Sequence, residues 1–177
     1  MSTVADRYGK VSIVLHWLML ILLIAVYACI ELRELFPRGS DPREALKQWH
    51  FALGLTVFAL VWIRMVARAL GKTPPIVPAV PRWQRLAADM VEVALYALMI
   101  VLPLLGWLTL SAEGTAISFF GVPVPALIGV NEPFAERTEE LHETLATAGY
   151  FLIGAHALAA LFHHYVQRDN TLRRMSF

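Results

Sequence analysis

The sequence predicts an all-α fold, an integral membrane four-helix bundle with both termini on the cytoplasmic side. Three observations predict it. The chain of 177 residues is 58% apolar with only 16% charged residues, well under the roughly 25% of soluble domains. Its charges gather between four apolar stretches, each near the roughly 20 residues that a helix needs to cross a hydrocarbon core. Lysine and arginine are also distributed unequally between the two sets of connecting segments.

The first span covers about 11–30, an uncharged run that begins after Arg7 and Lys10. It exceeds the 7 to 15 residues of a signal-peptide core and contains a histidine, so a cleaved signal is not expected although Val26-Tyr27-Ala28-Cys29 faintly resembles a lipoprotein cleavage site. The second span covers about 49–70, with Arg64 and Arg68 near its far end, where long basic side chains reach water. The third covers about 86–110, with Asp89 and Glu92 in its first turns, where a helix N-terminus favours carboxylates. Pro103 and Gly106 should kink or loosen its second half. The fourth covers about 141–166 and has no Asp, Glu, Lys or Arg after Glu143.

Ten Lys and Arg flank one side of these spans: Arg7 and Lys10, then Arg64, Arg68, Lys72, Arg82 and Arg85, then Arg168, Arg173 and Arg174. Five flank the other, Arg33, Arg38, Arg43, Lys47 and Arg137. The positive-inside rule puts the first side in the cytoplasm and turns segments 31–48 and 111–140 outward. Residues 71–81, with four prolines, read as an extended connection within one domain covering 1–177. Residues 116–130 are apolar but broken by Gly121, Pro123, Pro125 and Gly129, so they are expected to lie along the outer interface and not to span. The formal charge of +1 gives no reason to expect nucleic acid.

All six histidines, His16, His50, His142, His156, His163 and His164, fall in or at the ends of the predicted spans. Ionisable side chains are costly in a bilayer, so function is the default reading for them, and neutral imidazole is a good haem-iron ligand. With no C-x-x-C-H and a single cysteine, Cys29, any haem is of the non-covalent b type and no internal disulfide exists. His142 and His156 are fourteen residues apart, about 40° apart on one helix face and about 21 Å apart along the axis. His50 opens the second span at the level of His142, and His16 lies about 7–8 Å into the first span from the opposite side. Depth alone pairs His50 with His142 and His16 with His156. A compact zinc site does not suit two separated pairs.

Gly149 lies seven residues from both His142 and His156, and Gly54 one turn beyond His50. Either these glycines let a macrocycle approach the backbone or they are the small residues by which membrane helices pack. Arg64 shares the face of His50 at the inner level, suited to a haem propionate or a quinone oxygen, or to snorkelling. His163, seven residues past His156, is placed to hydrogen-bond a quinone carbonyl and relay protons; His164 points about 100° away, towards an interfacial role.

Several runs carry a family likeness: Ile13-Val14-Leu15-His16-Trp17, Trp49-His50 with Gly54, Leu141-His142-Glu143-Thr144-Leu145-Ala146 through Gly149-Tyr150-Phe151 to His156, and His163-His164-Tyr165 with Asp169-Asn170-Thr171-Leu172. Together they resemble the bacterial cytochrome b-561 family, most nearly its superoxide oxidase branch. The resemblance implies a multi-pass protein of the bacterial inner membrane, surrounded by lipid and holding two haems b. It implies His16, His50, His142 and His156 as iron ligands, superoxide oxidised at the outer face and ubiquinone reduced near the inner haem. Many relatives carry a histidine in the first half of the third span; Asp89-Met90-Val91-Glu92 offers none here. Superoxide would be drawn by Arg33, Arg38, Arg43 or Lys47, unless Glu31, Glu34, Asp41 and Glu44 cancel their field. The competing reading is a haem b anchor subunit fed by a partner dehydrogenase or hydrogenase.

Overall fold

A computed structural model describes residues 6–177, so the first five residues of the expected domain lie outside it. Helix α1 runs Lys10–Leu32, α2 Asp41–Leu70, α3 Arg82–Glu113 and α4 Glu132–Phe162. All four are long and apolar enough to cross a membrane. Consecutive helices pack side by side, α1 with α2 and α3 with α4 most extensively. The backbone N–H of Tyr8 donates to the carbonyl of Arg174, so both termini meet at one end of the bundle. That end is called the termini end below, and the opposite one the hairpin end.

The bundle is apolar outside as well as inside. Ile21, Val93 and Phe151 are all exposed, an arrangement that water would penalise and lipid accepts. The centre is a small buried cluster of Met19, Val57 and Val61, backed by Leu22, Val26, Tyr96 and Met99. Val57 and Val61 lie on α2 between His50 and Arg64, which places this apolar cluster between the two levels of histidine.

Helices α2 and α4 begin eight and nine residues before the spans read from hydropathy. Their start signals explain the difference. Pro42 and Pro133 sit in the first turns beside Asp41, Glu44 and Glu132, and the side chain of Asn131 accepts the N–H of Phe134 at 3.2 Å. Hydropathy marks where lipid begins, whereas capping marks where the helix begins. Arg43, in this charged extension, donates to the carbonyls of Arg33 and Phe36 and so closes the end of α1.

Helix α3 runs without interruption through Pro103 and ends at Gly114, whose φ of 72° is left-handed. The following stretch, expected not to span, carries regular structure that hydropathy did not reveal. It forms a two-stranded antiparallel hairpin, β1 Ile117–Phe119 with β2 Val122–Val124. Phe120 packs edge-on against Trp49 with ring centroids 6.0 Å apart.

At the termini end, the connection 72–76 forms neither helix nor strand, and the C-terminal tail holds it. Asn170 exchanges hydrogen bonds with Val77 and donates to Pro75, while Arg174 donates to Pro74. Trp17 on α1 donates from Nε1 to Met175 at 2.9 Å.

Candidate functional site

Two histidine pairs occupy opposite ends of the bundle, and α4 supplies one member of each. At the hairpin end the ring centroids of His50 and His142 are 6.2 Å apart, with the planes at 68°. At the termini end those of His16 and His156 are also 6.2 Å apart, with the planes at 61°. The pairs are those that depth alone assigns. Among the described residues, no three His, Cys, Asp or Glu side chains converge as a compact metal-ion site.

The separation has a chemical meaning. Metal–nitrogen bonds of about 2 Å on either side of one ion, plus the radius of each imidazole, put two ring centroids about 6 Å apart. Both pairs are therefore spaced as two imidazoles holding one metal ion would be, a distance that edge-to-face rings also occupy.

The surroundings of the hairpin-end pair fit a haem. His50 Nδ1 lies 3.0 Å from the carbonyl of Val26; a carbonyl only accepts, so this nitrogen carries the hydrogen and Nε2 keeps a lone pair for a metal. His142 Nδ1 is buried without a hydrogen-bond partner, and its ring packs beside Gly106 of α3, where an added Cβ would make ordinary contact at 3.5 Å from Cε1. A cavity of about 350 Å³ borders both rings, with Leu23, Leu98, Leu102 and Gly54 in its wall. A second cavity of about 740 Å³ borders the same rings and is the more polar of the two, with Arg33 and Lys47 beside Glu44, Glu113, Glu139 and Glu143. The first space suits the apolar ring of a haem, whereas the second, with four carboxylates to two cations, does not by itself favour a haem's carboxylate edge.

The two glycines separate in role. A Cβ at Gly54 would meet nothing within 4 Å, so this residue keeps cavity wall open. A Cβ at Gly149 would stand 2.5 Å from the hydroxyl of Tyr27, which donates to the carbonyl of Ala146 at 2.9 Å. Gly149 thus admits a tyrosine from α1 to the backbone of α4.

At the termini end His156 is exposed and His16 half-buried. Arg64 Nη2 lies 3.0 Å from His16 Nδ1, and its Nε donates to the hydroxyl of Tyr96 at 3.2 Å. A guanidinium only donates, so His16 Nδ1 accepts here. Ligation by either nitrogen of His16 ends that bond, because a ligating Nε2 leaves hydrogen on Nδ1. Arg64 would then be freed, and its Nη1 is already buried without a partner. Residues fit for an iron and an arginine fit for a carboxylate or carbonyl oxygen thus share one level.

His163 lies on a π-helical turn, His163–Gln167, that continues α4. Its Nδ1 is 2.5 Å from Asp169 Oδ2. His164 Nδ1 is buried without a partner. Spacing alone could not reveal Asp169 or Tyr27 as neighbours of these groups; nor did it show that Glu92 binds Arg68 at 3.2 Å.

Nearer the hairpin, three of the four cations considered for drawing superoxide meet carboxylates. Arg43 and Arg33 both meet Glu34, at 2.8 and 3.0 Å, and Lys47 meets Glu44 at 3.6 Å. Arg33 and Arg43 share the one carboxylate of Glu34, so these contacts reduce the positive field of the three cations without cancelling it.

The model of the prokaryotic cytochrome b561 family matches residues 7–177. Cytochrome b561 homolog 1 of Escherichia coli is 41% identical over 170 residues, 96% of this chain and 97% of the relative. The probable superoxide oxidase CybB of Yersinia pestis is 38% identical over 169 residues, covering 96% and 95%. Cytochrome b561 homolog 2 of Escherichia coli is 30% identical over 171 residues, covering 96% and 91%. A four-helix membrane bundle with paired histidines, matched over almost all its length, belongs to the prokaryotic cytochrome b561 family, the haem b-binding membrane cytochromes of bacterial electron transfer.

Proposed function

We propose that this chain is one di-haem b domain of the bacterial inner membrane that carries electrons from superoxide, oxidised to dioxygen at the periplasmic hairpin end, to ubiquinone at the cytoplasmic termini end. The observation that carries the reading is the equal 6.2 Å separation of two histidine pairs at opposite ends of α4. Ten of the fifteen Lys and Arg flank the termini end, which supports its cytoplasmic placement. Superoxide as donor draws support from the Yersinia pestis relative's description as a probable superoxide oxidase.

When bound, the two haems supply one-electron carriers at the two levels, and the protein does the rest. His50 with His142, and His16 with His156, hold and orient them. The apolar cluster of Met19, Val57 and Val61 opposes the passage of water and ions between the levels. Arg64, released by ligation of His16, offers donors to a propionate or to the quinone oxygen. His163 supplies protons from the cytoplasmic side, which ubiquinone needs with its two electrons. The contacts of Arg33, Arg43 and Lys47 with carboxylates weaken the steering field, and the cavity beside His50 offers a route of access.

The test is to supply superoxide enzymatically to the purified, haem-loaded chain with a soluble ubiquinone. Quinol should form in proportion to the protein present. If both haems are bound and no quinol forms, the superoxide reading is wrong, and an anchor cytochrome fed by a partner protein takes its place.

A further inference from the structure

Six residues at 100° each would put positions 163 and 169 about 120° apart on a regular helix, on different faces. The chain avoids this by two local departures. Residues His163–Gln167 form a π-helical turn, and Arg168 takes a left-handed φ of 56°. The N–H of Asp169 then donates to the carbonyl of His163 at 3.1 Å, and its side chain folds back onto the imidazole. Asp169 is only 3% exposed. π-turns inside α-helices frequently mark functional sites, and a left-handed non-glycine residue costs about 1 kcal/mol or more.

The carboxylate performs two tasks. Oδ1 accepts the backbone N–H of Thr171 at 2.8 Å, and Oδ2 meets His163 Nδ1 at 2.5 Å. Burial alone would push the Asp169 carboxyl up, but the hydrogen bonds from His163 and Thr171 outweigh it and hold the group below the usual carboxylate range. Asp169 is therefore an ionised, acceptor-only group near neutral pH, and Nδ1 of His163 has to be the donor.

We propose that Asp169 is the positioning residue of His163, fixing the hydrogen on Nδ1 and leaving Nε2 as the nitrogen that exchanges protons at the quinone end. The inference rests on the reading that His163 serves ubiquinone. In each transfer the proton on Nε2 of a doubly protonated imidazole passes to a quinone oxygen, and Nε2 is reprotonated from water on the termini side. Two such transfers accompany the two electrons of quinone reduction. Nδ1–H stays on Asp169 throughout.

Asp169→Asn separates this role from a merely structural one. The N–H of Thr171 can only donate, so the amide oxygen must stay there and the amide nitrogen must face His163. Nδ1 is then forced to accept, and the neutral ring carries its hydrogen on Nε2. Both hydrogen bonds and the fold of the tail survive, while the lone pair needed for reprotonation at Nε2 is lost.

The experiment is nitrogen NMR of the reduced, haem-loaded, 15N-histidine protein, with the His163 signal identified by its loss in His163→Gln, alongside quinone kinetics. The wild type should show hydrogen on Nδ1. Asp169→Asn should show it on Nε2, with both haem bands retained, KM for quinone little changed and kcat lower by about 10-fold or more. Hydrogen on Nε2 in the wild type, or an unchanged tautomer in the variant, overturns the inference directly. An inverted tautomer with undiminished kcat overturns it differently, by removing His163 from ubiquinone chemistry while the tautomer assignment stands.

Discussion

Single residues here gain their meaning from what they can donate or accept. Arg64 is the clearest case, since it holds His16 Nδ1 at 3.0 Å and must let go when that histidine ligates a metal. A freed guanidinium beside the inner centre stabilises the reduced, more negative state by Coulomb attraction. Arg64→Gln should therefore lower the midpoint potential of the inner haem by tens of millivolts and leave the outer one in place, as a potentiometric titration of the b-type bands would show. Equal potentials in variant and wild type would place the freed arginine away from that haem. The four histidines of the pairs were legible in the sequence because regular helical geometry converts spacing into depth and face. Asp169 was not, because a π-turn and a left-handed residue break that conversion between 163 and 169.

At the scale of elements, α4 organises the molecule. It carries one histidine of each pair, and between them it admits α1 through Gly149. The hydroxyl of Tyr27 occupies the space that a side chain at 149 would need. Gly149→Ala should cost about 1–3 kcal/mol, as overpacked cores do, and lower the thermal midpoint of the haem-loaded protein. Tyr27→Phe in the same chain removes the clashing oxygen and should restore most of the loss. If the double variant is no more stable than the single one, the glycine is not there to seat Tyr27. The four spans were readable from hydropathy, but the starts of α2 and α4 were not, because Asp41-Pro42 and Asn131-Glu132-Pro133 begin helices outside the apolar zone. The hairpin was also missed, since three-residue strands leave too short a pattern for alternation to register.

For the whole molecule, an apolar exterior, two histidine levels and an apolar cluster between them form one device. Electrons can cross such packing between fixed carriers, whereas it opposes the passage of ions and water. The pairing of Arg33, Arg43 and Lys47 with carboxylates could not be read from their counts, because sequence gives charges without partners. The central claim is that two separate centres each bind a haem between two imidazoles. Haem content per purified chain, compared between the wild type and His142→Ala, tests it most directly: the account requires two haems falling to one, with the inner centre's band preserved, and a single haem in the wild type or loss of both in the variant would contradict it.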